Sequence, residues 1–209
     1  MRVVGIVVAG GVGSRAGGSR PKQLELVGGR RLLDWSVAAI AAASETVVVV
    51  AHPDLLEEHR TDVADIVVAG GATRADSVRA GLAAAARLDP THVLIHDAAR
   101  PVVSAEVVGR VIEALADGER AVVPAVPVTD TLRRVDGGAA DRGQFVAVQT
   151  PQGFAFETIS AAHAAGEDAT DDASLVDALG VRVAHVHGDP QNIKVTVAAD
   201  LALAEILLG

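Results

Sequence analysis

Short apolar runs alternate along this chain with longer segments whose apolar residues recur at helical spacing. The runs are rich in valine and isoleucine, and few polar positions interrupt them. Such runs are typical of strands buried on both faces of a parallel sheet, and their alternation with helices is typical of a doubly wound α/β domain. We predict strands at residues 3–8, 46–51, 66–69, 92–96 and 121–126, and helices at residues 32–43, 54–59, 75–88 and 104–116.

A different pattern begins at residue 128. Polar and apolar residues alternate from Thr129 to Val135, the tripeptide Asp136-Gly137-Gly138 predicts a turn, and a second run returns at residues 145–149. This pattern predicts an antiparallel β arm at residues 128–149. A ribbon with little core of its own is marginal in isolation, so we expect the arm to pack on a second copy of the chain in a homodimer.

The segments beyond the arm complete one predicted domain of residues 1–209. They predict a helix after residue 154, a capped helix after the polar run at 169–174, a strand at 181–187 and a closing helix at 198–208. Because the chain ends at Gly209, we expect no fused second domain.

Composition limits the classes of protein to which the chain can belong. Half of its 209 residues are hydrophobic, which suffices for a sizeable core, and the absence of cysteine excludes disulfides and thiolate zinc sites. No apolar run reaches the ~18 residues of a membrane span and no leader pattern precedes the first strand, so we expect a soluble cytoplasmic protein without a membrane partner. The net charge of −9 argues against sequence-independent binding of nucleic acid. An anionic ligand would therefore need a local basic pocket.

A glycine-rich loop follows the first predicted strand. The loop, residues 9–13, reads AGGVG, and two cations, Arg15 and Lys22, come shortly after it. Glycines let bare backbone N–H groups approach an anion closely, so the loop can form a nest for phosphate oxygens. A dinucleotide fingerprint would need an acidic residue at the end of the second strand, where His52 and Pro53 stand, and a Walker loop would need Gly-Lys-Ser/Thr. A plain tight turn between a strand and a helix is the alternative that stays open.

Lysine is rare in this chain. The 18 basic residues are 16 arginines and two lysines, Lys22 and Lys194. Lysine is a compact point charge on a flexible stem, whereas arginine is a planar fork, so the two exchange poorly where geometry matters. Chance is one explanation for the two lysines, and the one that we favour is that both touch phosphate.

Two further motifs each follow a predicted strand, which is where doubly wound sheets bind their ligands. In the first, residues 70–77, Asp76 and Ser77 suit a base or ribose edge but equally suit the first turn of a helix. In the second, Asp97 suits a ribose hydroxyl, a substrate hydroxyl or a magnesium ion, and Arg100 suits a second phosphate. A structural ion pair between Asp97 and Arg100 is the alternative. The seven histidines lack the spacing of a metal site.

Five motifs, in their order and spacing, resemble the 2-C-methyl-D-erythritol 4-phosphate cytidylyltransferase family. The glycine loop alone marks only the broad nucleotidyltransferase superfamily, whereas the other four motifs together are specific. The resemblance runs essentially from end to end, with Gly10 where the family usually has Ala, Ala16 where Met usually stands, and residues 197–199 where Arg-Pro-Glu is common. The motifs are AGGxGxR at 9–15 with PKQ at 21–23, GxxRxDSV at 71–78, HDAARP at 96–101, QTPQ at 149–152 and NIKVT at 192–196.

The resemblance implies a nucleotidyltransferase-like, Rossmann-type fold and an activity. The activity is the joining of CTP and 2-C-methyl-D-erythritol 4-phosphate, with release of pyrophosphate, in the non-mevalonate route to isoprenoid precursors. Mg²⁺ would be held mainly by the nucleotide phosphates, without a metal site made of protein side chains. Two other functions stay open: a sister activity on ribitol 5-phosphate, and a non-catalytic sensor that binds a nucleotide.

The resemblance also assigns roles to residues, in three groups. The cations that would neutralise the transferring α-phosphate are Arg15, Lys22 and Lys194. The residues that would bind the nucleotide, with Asp76 added from its own chemistry, are Ala9, Gly10, Gly11, Gly13, Gly71, Ala72, Asp76 and Ser77. The residues that would bind the acceptor, with Thr131 and Arg142 reaching over on a partner's arm, are Asp97, Arg100, Thr131, Arg142, Thr150 and Thr170.

Overall fold

The computed structural model describes residues 1–10, 21–165 and 171–209. Within these residues, the strands in chain order are β1 (Val3–Ala9), β2 (Leu26–Val27), β3 (Arg30–Arg31), β4 (Thr46–Ala51), β5 (Ile66–Ala69), β6 (His92–Asp97), β7 (Ala121–Pro127), β8 (Val146–Val148), β9 (Gln152–Ala155) and β10 (Ala184–His187). The α-helices are α1 (Leu32–Ala41), α2 (Arg74–Ala85), α3 (Ala105–Ala116), α4 (Phe156–Ala164), α5 (Asp172–Ala178) and α6 (Ala198–Leu208). In this part of the chain, no helix combines the length and the apolar character that crossing a membrane requires.

Eight of the strands form one mixed sheet. Their order is β10-β7-β9-β6-β1-β4-β5, and β8 pairs with β7 beside this path. β1 runs parallel to β4 and β6, β4 runs parallel to β5, and β7 runs parallel to β10. β2 and β3 form a separate small hairpin. The predicted doubly wound, mostly parallel architecture is confirmed.

Helices cover both faces of this sheet. α2, α4 and α5 pack on one face, where Val4 and Ile6 of β1 are buried, and α1 and α3 pack on the other, where Val3 and Val7 are buried. Neighbouring side chains of a strand point to opposite faces, so a strand covered on both sides must be apolar at every position. This explains the uninterrupted valine-rich runs. α6 packs with the β2–β3 hairpin through Ala204.

β9 is the main difference from the sequence-based prediction, which placed only a helix after residue 154. The strand lies between β6 and β7 and is antiparallel to both. It is only four residues long, contains Gly153 and follows Pro151, so it lacks the length and the continuous apolar character of the other central strands. Gly153 has a packing role, because a Cβ at this position would lie 2.5 Å from the side chain of Val111 in α3. The predicted helix at residues 54–59 is wrong, because the structure has only a short 3₁₀ helix at Pro53–Leu55 there. Several boundaries also differ from the prediction, since α1 ends at Ala41, α2 ends at Ala85 and β10 begins at Ala184.

The arm has an antiparallel base and a small hairpin at its tip. β8 pairs with the last residues of β7, so the pairing begins just before residue 128. At the tip, a bridge joins Arg133 and Ala139, and the turn uses Gly137 and Gly138 at positive φ. Most of the residues between β7 and β8 are exposed, and they include the aromatic ring of Phe145. The role of the arm in a dimer remains a prediction.

Candidate active site

A cleft of about 420 Å³ opens at the carboxyl end of β6. This volume falls within the usual range of small-molecule sites, and the carboxyl edge of a doubly wound sheet is the usual place for one. The walls come from β6, β8, the segment around β9, the first turns of α2 and α5, and the segment that precedes α6. Seven lining residues carry the charges and hydrogen bonds that organise the cleft: Arg74, Asp97, Arg100, Thr150, Gln152, Asp171 and Lys194.

Asp97 is the central negative charge of this cleft. It ends β6, and its carboxylate lies 2.6 Å from Nζ of Lys194 and 3.5 Å from Nε of Arg74. Burial opposes ionisation of this carboxyl, but the charges of Arg74 and Lys194 outweigh burial and lower the pKa of Asp97 to about 2. Among the described residues, its ion-pair partners are Lys194 and Arg74, so the alternative of an Asp97–Arg100 pair is wrong. One strand end thus holds cations from two distant parts of the chain.

A chain of polar side chains runs from the cleft into the protein. Arg74, the first residue of α2, donates from Nη2 to Asp172 at 2.8 Å, and Asp172 accepts from Nε2 of His163 at 3.0 Å. Burial opposes the positive charge of Arg74, but Asp172 and Asp97 outweigh it and raise the pKa of Arg74. The sequence interpretation assigned no role to Arg74, Asp172 or His163. The only available signal was that Arg74 lies inside the motif at residues 71–78.

Thr150 ties the end of β6 to the segment before β9. Its Oγ1 accepts from the Asp97 N–H at 3.1 Å and lies 2.9 Å from Nδ1 of His96. Nε2 of His96 lies 3.1 Å from the carbonyl oxygen of Arg100, which can only accept, so Nε2 carries the ring proton. Burial lowers the pKa of His96 to about 4, so the ring is neutral at pH 7 and Nδ1 accepts from the Thr150 hydroxyl. The hydroxyl keeps one lone pair with which it can accept from a ligand.

Asn192 fixes the segment that carries Lys194. Its side-chain Nδ2 donates to the backbone carbonyl oxygen of Thr150 at 2.9 Å, and its backbone carbonyl oxygen accepts from Nη1 of Arg100 at 2.7 Å. Burial lowers the pKa of Arg100, and the charge of Asp97 opposes this effect. The segments around residues 97, 150 and 192 are therefore linked to one another, which sets where Lys194 enters the cleft.

The motif at residues 70–77 opens α2 and uses its polar side chains internally. Thr73 and Asp76 form a capping box at the start of the helix. Oγ of Ser77 accepts from the Gly71 N–H at 3.2 Å and donates to the carbonyl oxygen of Thr73 at 3.0 Å. The capping alternative for Asp76 and Ser77 is thus present, and contact of either residue with a nucleotide remains a prediction. Gly71 and Ala72 are exposed and present their backbone at the same edge.

Gln23 connects the segment that carries Lys22 to the end of β1. Its buried side-chain amide donates to the carbonyl oxygen of Ala9, the first residue of the glycine loop. The pKa of Asp200, in the first turn of α6, is lowered chiefly by the Val197 N–H, and the charge of Lys22 contributes as well. Lys22 is therefore placed near the end of β1 by its neighbour Gln23, and its charge acts on the start of α6.

The candidate residues fall into three groups by position. The residues that the structure gathers at the carboxyl edge of the sheet are Ala9, Gly10, Lys22, Gly71, Ala72, Asp76, Ser77, Asp97, Arg100, Thr150 and Lys194. Those on the exposed arm, which do not line the cleft, are Thr131 and Arg142. The predictions that lie outside the described residues are Gly11, Gly13, Arg15 and Thr170.

A doubly wound α/β sheet with a cationic cleft at its carboxyl edge defines a class of proteins that bind anionic ligands at that edge. The family model that matches the chain covers residues 3–209 and describes 2-C-methyl-D-erythritol 4-phosphate cytidylyltransferase. The chain belongs to this family.

Similar proteins match this chain over almost its whole length. A 2-C-methyl-D-erythritol 4-phosphate cytidylyltransferase of Rhodococcus jostii is 44% identical over 216 residues, which cover 99% of this chain and 95% of the relative. A bifunctional enzyme IspD/IspF of Paracoccus denitrificans is 45% identical over 98% of this chain, which spans only 55% of that longer relative. The crystal structure of 2-C-methyl-D-erythritol 4-phosphate cytidylyltransferase from Thermus thermophilus matches with a TM-score of 0.82 at 39% identity, covering 99% of this chain and 98% of that one.

Proposed function

We propose that this chain joins CTP and 2-C-methyl-D-erythritol 4-phosphate to give 4-diphosphocytidyl-2-C-methyl-D-erythritol and pyrophosphate. The observation that carries the proposal is the convergence of Arg74, Arg100 and Lys194 on the cleft beside Asp97. Both substrates are anions, and their mutual repulsion must be offset where they meet. The cleft supplies that charge in a chain that is acidic overall, because three cations line it against the two carboxylates of Asp97 and Asp171.

The reaction requires position and charge rather than a protein nucleophile. A phosphate oxygen of the acceptor attacks the α-phosphorus of CTP, and the bond from that phosphorus to the pyrophosphate oxygen breaks in line with the attack. In the proposal, Arg15, Lys22 and Lys194 neutralise the charge that develops on the transferring group. Asp97 already holds the Lys194 ammonium at the strand end, so this charge needs little reorganisation during the reaction.

The proposed cofactor is Mg²⁺, bound mainly by the phosphates of the nucleotide. Within the described residues, no three acidic or histidine side chains are close enough together to form a metal site. The cleft offers the carboxylates of Asp97, which its two cations already engage, and of Asp171, which accepts from Gln152. One or two carboxylates with substrate phosphates are a common set of ligands for Mg²⁺, so these donors fit the metal. When bound, Mg²⁺ would supply further neutralisation of the triphosphate.

The proposal includes a cytoplasmic homodimer assembled through the arm. The support is the exposure of the arm, whose apolar side chains Val135, Phe145 and Val146 have little cover within the chain. In such a dimer, Thr131 and Arg142 would enter the site of the partner subunit. Light scattering of the purified chain and of its Phe145→Asp variant tests this assembly, and a monomeric parent protein would contradict it.

Pyrophosphate release is the experiment that tests the activity. The chain is supplied with CTP and Mg²⁺, and with either methylerythritol 4-phosphate or ribitol 5-phosphate in parallel. We expect turnover with methylerythritol 4-phosphate. Faster turnover with ribitol 5-phosphate would keep the reaction and change the acceptor, whereas CTP binding without turnover of either acceptor would favour a nucleotide sensor.

A further inference from the structure

Arg74 occupies a position that is unfavourable for a cation. It is the first residue of α2, where the helix dipole repels positive charge. The guanidinium is nevertheless held there by two carboxylates, at 3.5 Å from Asp97 and 2.8 Å from Asp172. The pair with Asp97 is the longer one, and Asp97 has a closer partner in Lys194. Asp172 therefore contributes most to the orientation of Arg74.

Asp172 is itself tightly constrained. Its side chain is 1% exposed, and its two oxygens have separate partners, Arg74 on Oδ2 and Nε2 of His163 on Oδ1. It is also the first residue of α5, where the helix dipole favours a negative charge. Burying a carboxylate is costly unless such partners compensate for its lost hydration. The carboxylate thus provides a fixed point, outside the cleft, to which the guanidinium is attached.

The guanidinium also has a group left for a ligand. Arg74 donates from Nε and Nη2, while its Nη1 makes no hydrogen bond to any residue that the structure describes. The side chain lines the cleft, and about a quarter of its surface, 28%, is exposed. An arginine held from one side in this way presents its free donors to an anion on the other side.

The position of the cleft in the sheet indicates which anion Arg74 binds. In the strand order β9-β6-β1, the glycine loop follows β1, while most residues of the cleft belong to β8, the segment around β9 and the start of α5, on the other side of β6, with Arg74 of α2 and Lys194 completing the wall. If the loop binds the triphosphate of CTP, the cleft is left for the acceptor. We infer that Arg74 binds the phosphate group of the acceptor, a polyol phosphomonoester, and that Asp172 is a positioning residue that acts through Arg74. This inference rests on the proposed function.

Steady-state kinetics of variants test the inference, with acceptor and CTP varied separately. Arg74→Met removes a charge-assisted hydrogen bond that acts in both ground and transition states, so we expect KM for the acceptor to rise about 10- to 100-fold, while kcat and KM for CTP change little. Arg74→Lys keeps the positive charge but not the planar set of N–H donors, so its KM for the acceptor should lie between those of the parent protein and Arg74→Met. The matched control is the exposed pair of Arg182 and Glu119, at 3.0 Å, for which Arg182→Met and Glu119→Gln should change neither constant.

A double-mutant comparison tests the role of Asp172. Asp172→Asn should raise KM for the acceptor in the parent protein by roughly 3- to 10-fold, but should add little in the Arg74→Met background, because its effect passes through Arg74. An equal rise in both backgrounds would show that Asp172 only supports the fold. If Asp172→Asn does not fold, His163→Gln, which disturbs the other oxygen of the same carboxylate, takes its place with a smaller rise expected.

Calorimetric titration with methylerythritol 4-phosphate separates this inference from the proposed function. Weaker acceptor binding by Arg74→Met than by the parent protein supports the inference, whether or not the parent protein turns over. Turnover by the parent protein, with unchanged acceptor KM and unchanged affinity in Arg74→Met, overturns the inference and leaves the proposed function intact. A rise in KM for CTP alone would also overturn it, since the guanidinium would then serve the nucleotide.

Discussion

Replacing Thr150 by valine should destabilise the protein far more than replacing it by serine. Valine keeps the shape of threonine but removes the hydroxyl, and with it the bond from the Asp97 N–H at 3.1 Å and the bond to Nδ1 of His96 at 2.9 Å. His96 is fully buried and Thr150 is 5% exposed, so both groups have little access to water that could replace the lost partner. Serine keeps both bonds and loses one methyl group.

The magnitude follows from the two groups that are left without partners. Each buried donor or acceptor without a hydrogen bond costs about 1–3 kcal/mol, so Thr150→Val should lower the free energy of unfolding by about 2–6 kcal/mol. The lost methyl group of Thr150→Ser costs about 1 kcal/mol. Urea unfolding at neutral pH measures both, and an unchanged m-value would show that the difference lies in the native contacts.

The reasoning about Thr150 would be refuted if the two variants were equally stable. It makes a spectroscopic prediction as well, because nitrogen-15 NMR distinguishes the two neutral forms of a histidine ring. In the parent protein, His96 should carry its proton on Nε2, next to the Arg100 carbonyl oxygen. A proton on Nδ1 would reverse the direction of the bond to Thr150 and leave the hydroxyl hydrogen free.

Three further predictions concern other parts of the structure. Lys194→Ala should lower kcat by ~10²–10³ in the pyrophosphate assay if it acts as one preorganised charge donor, and a change of only a few-fold would exclude that role. Burial holds the pKa of His96 at about 4 in the folded protein, against an ordinary value of 6.5 for histidine. The free energy of unfolding should therefore be at its full value above about pH 6.5 and fall by about 3 kcal/mol towards about pH 4, as urea unfolding across that range would measure. Gly153→Ala would place a Cβ 2.5 Å from Val111, so it should lower the free energy of unfolding by about 1–3 kcal/mol, as measured with urea. The control is Gly109→Ala, whose Cβ would have no atom within 4 Å and which should cost no stability. Equal effects of the two substitutions would contradict the packing argument.

The parallel part of the fold could be predicted from the sequence because each of its strands can be recognised from its own residues. A strand covered on both faces is apolar throughout, and this property does not depend on which strand lies beside it. β9 has no such signal, because four residues that include a glycine and follow a proline resemble a loop until their neighbours are known. Its place in the sheet depends on β6 and β7, which are distant in the sequence, and local periodicity contains no information about that pairing.

Residues of the candidate site that are conspicuous on their own in the sequence could be predicted. Residues that matter only because they contact each other in the folded protein were missed. Asp97 and Lys194 stand out as an acid at a strand end and as one of two lysines, and the structure pairs them at 2.6 Å. Arg74 and Asp172 are ordinary residues in the sequence, since arginine and aspartate are common throughout it. Their importance arises from a contact across 98 positions, at 2.8 Å, which only the tertiary structure reveals.

The central position of β9 has a consequence for how the protein is made. β6 and β7 both leave the ribosome before β9, and each keeps an unpaired edge towards the place that β9 later fills. Until residue 155 has been synthesised, no strand joins β6 and its parallel neighbours to β7 and β8, and the arm between β7 and β8 is already exposed. Late pairing over a long sequence distance slows folding and leaves strand edges open to wrong partners, so the insertion of β9 is the step of synthesis at which this chain is most exposed to misassembly.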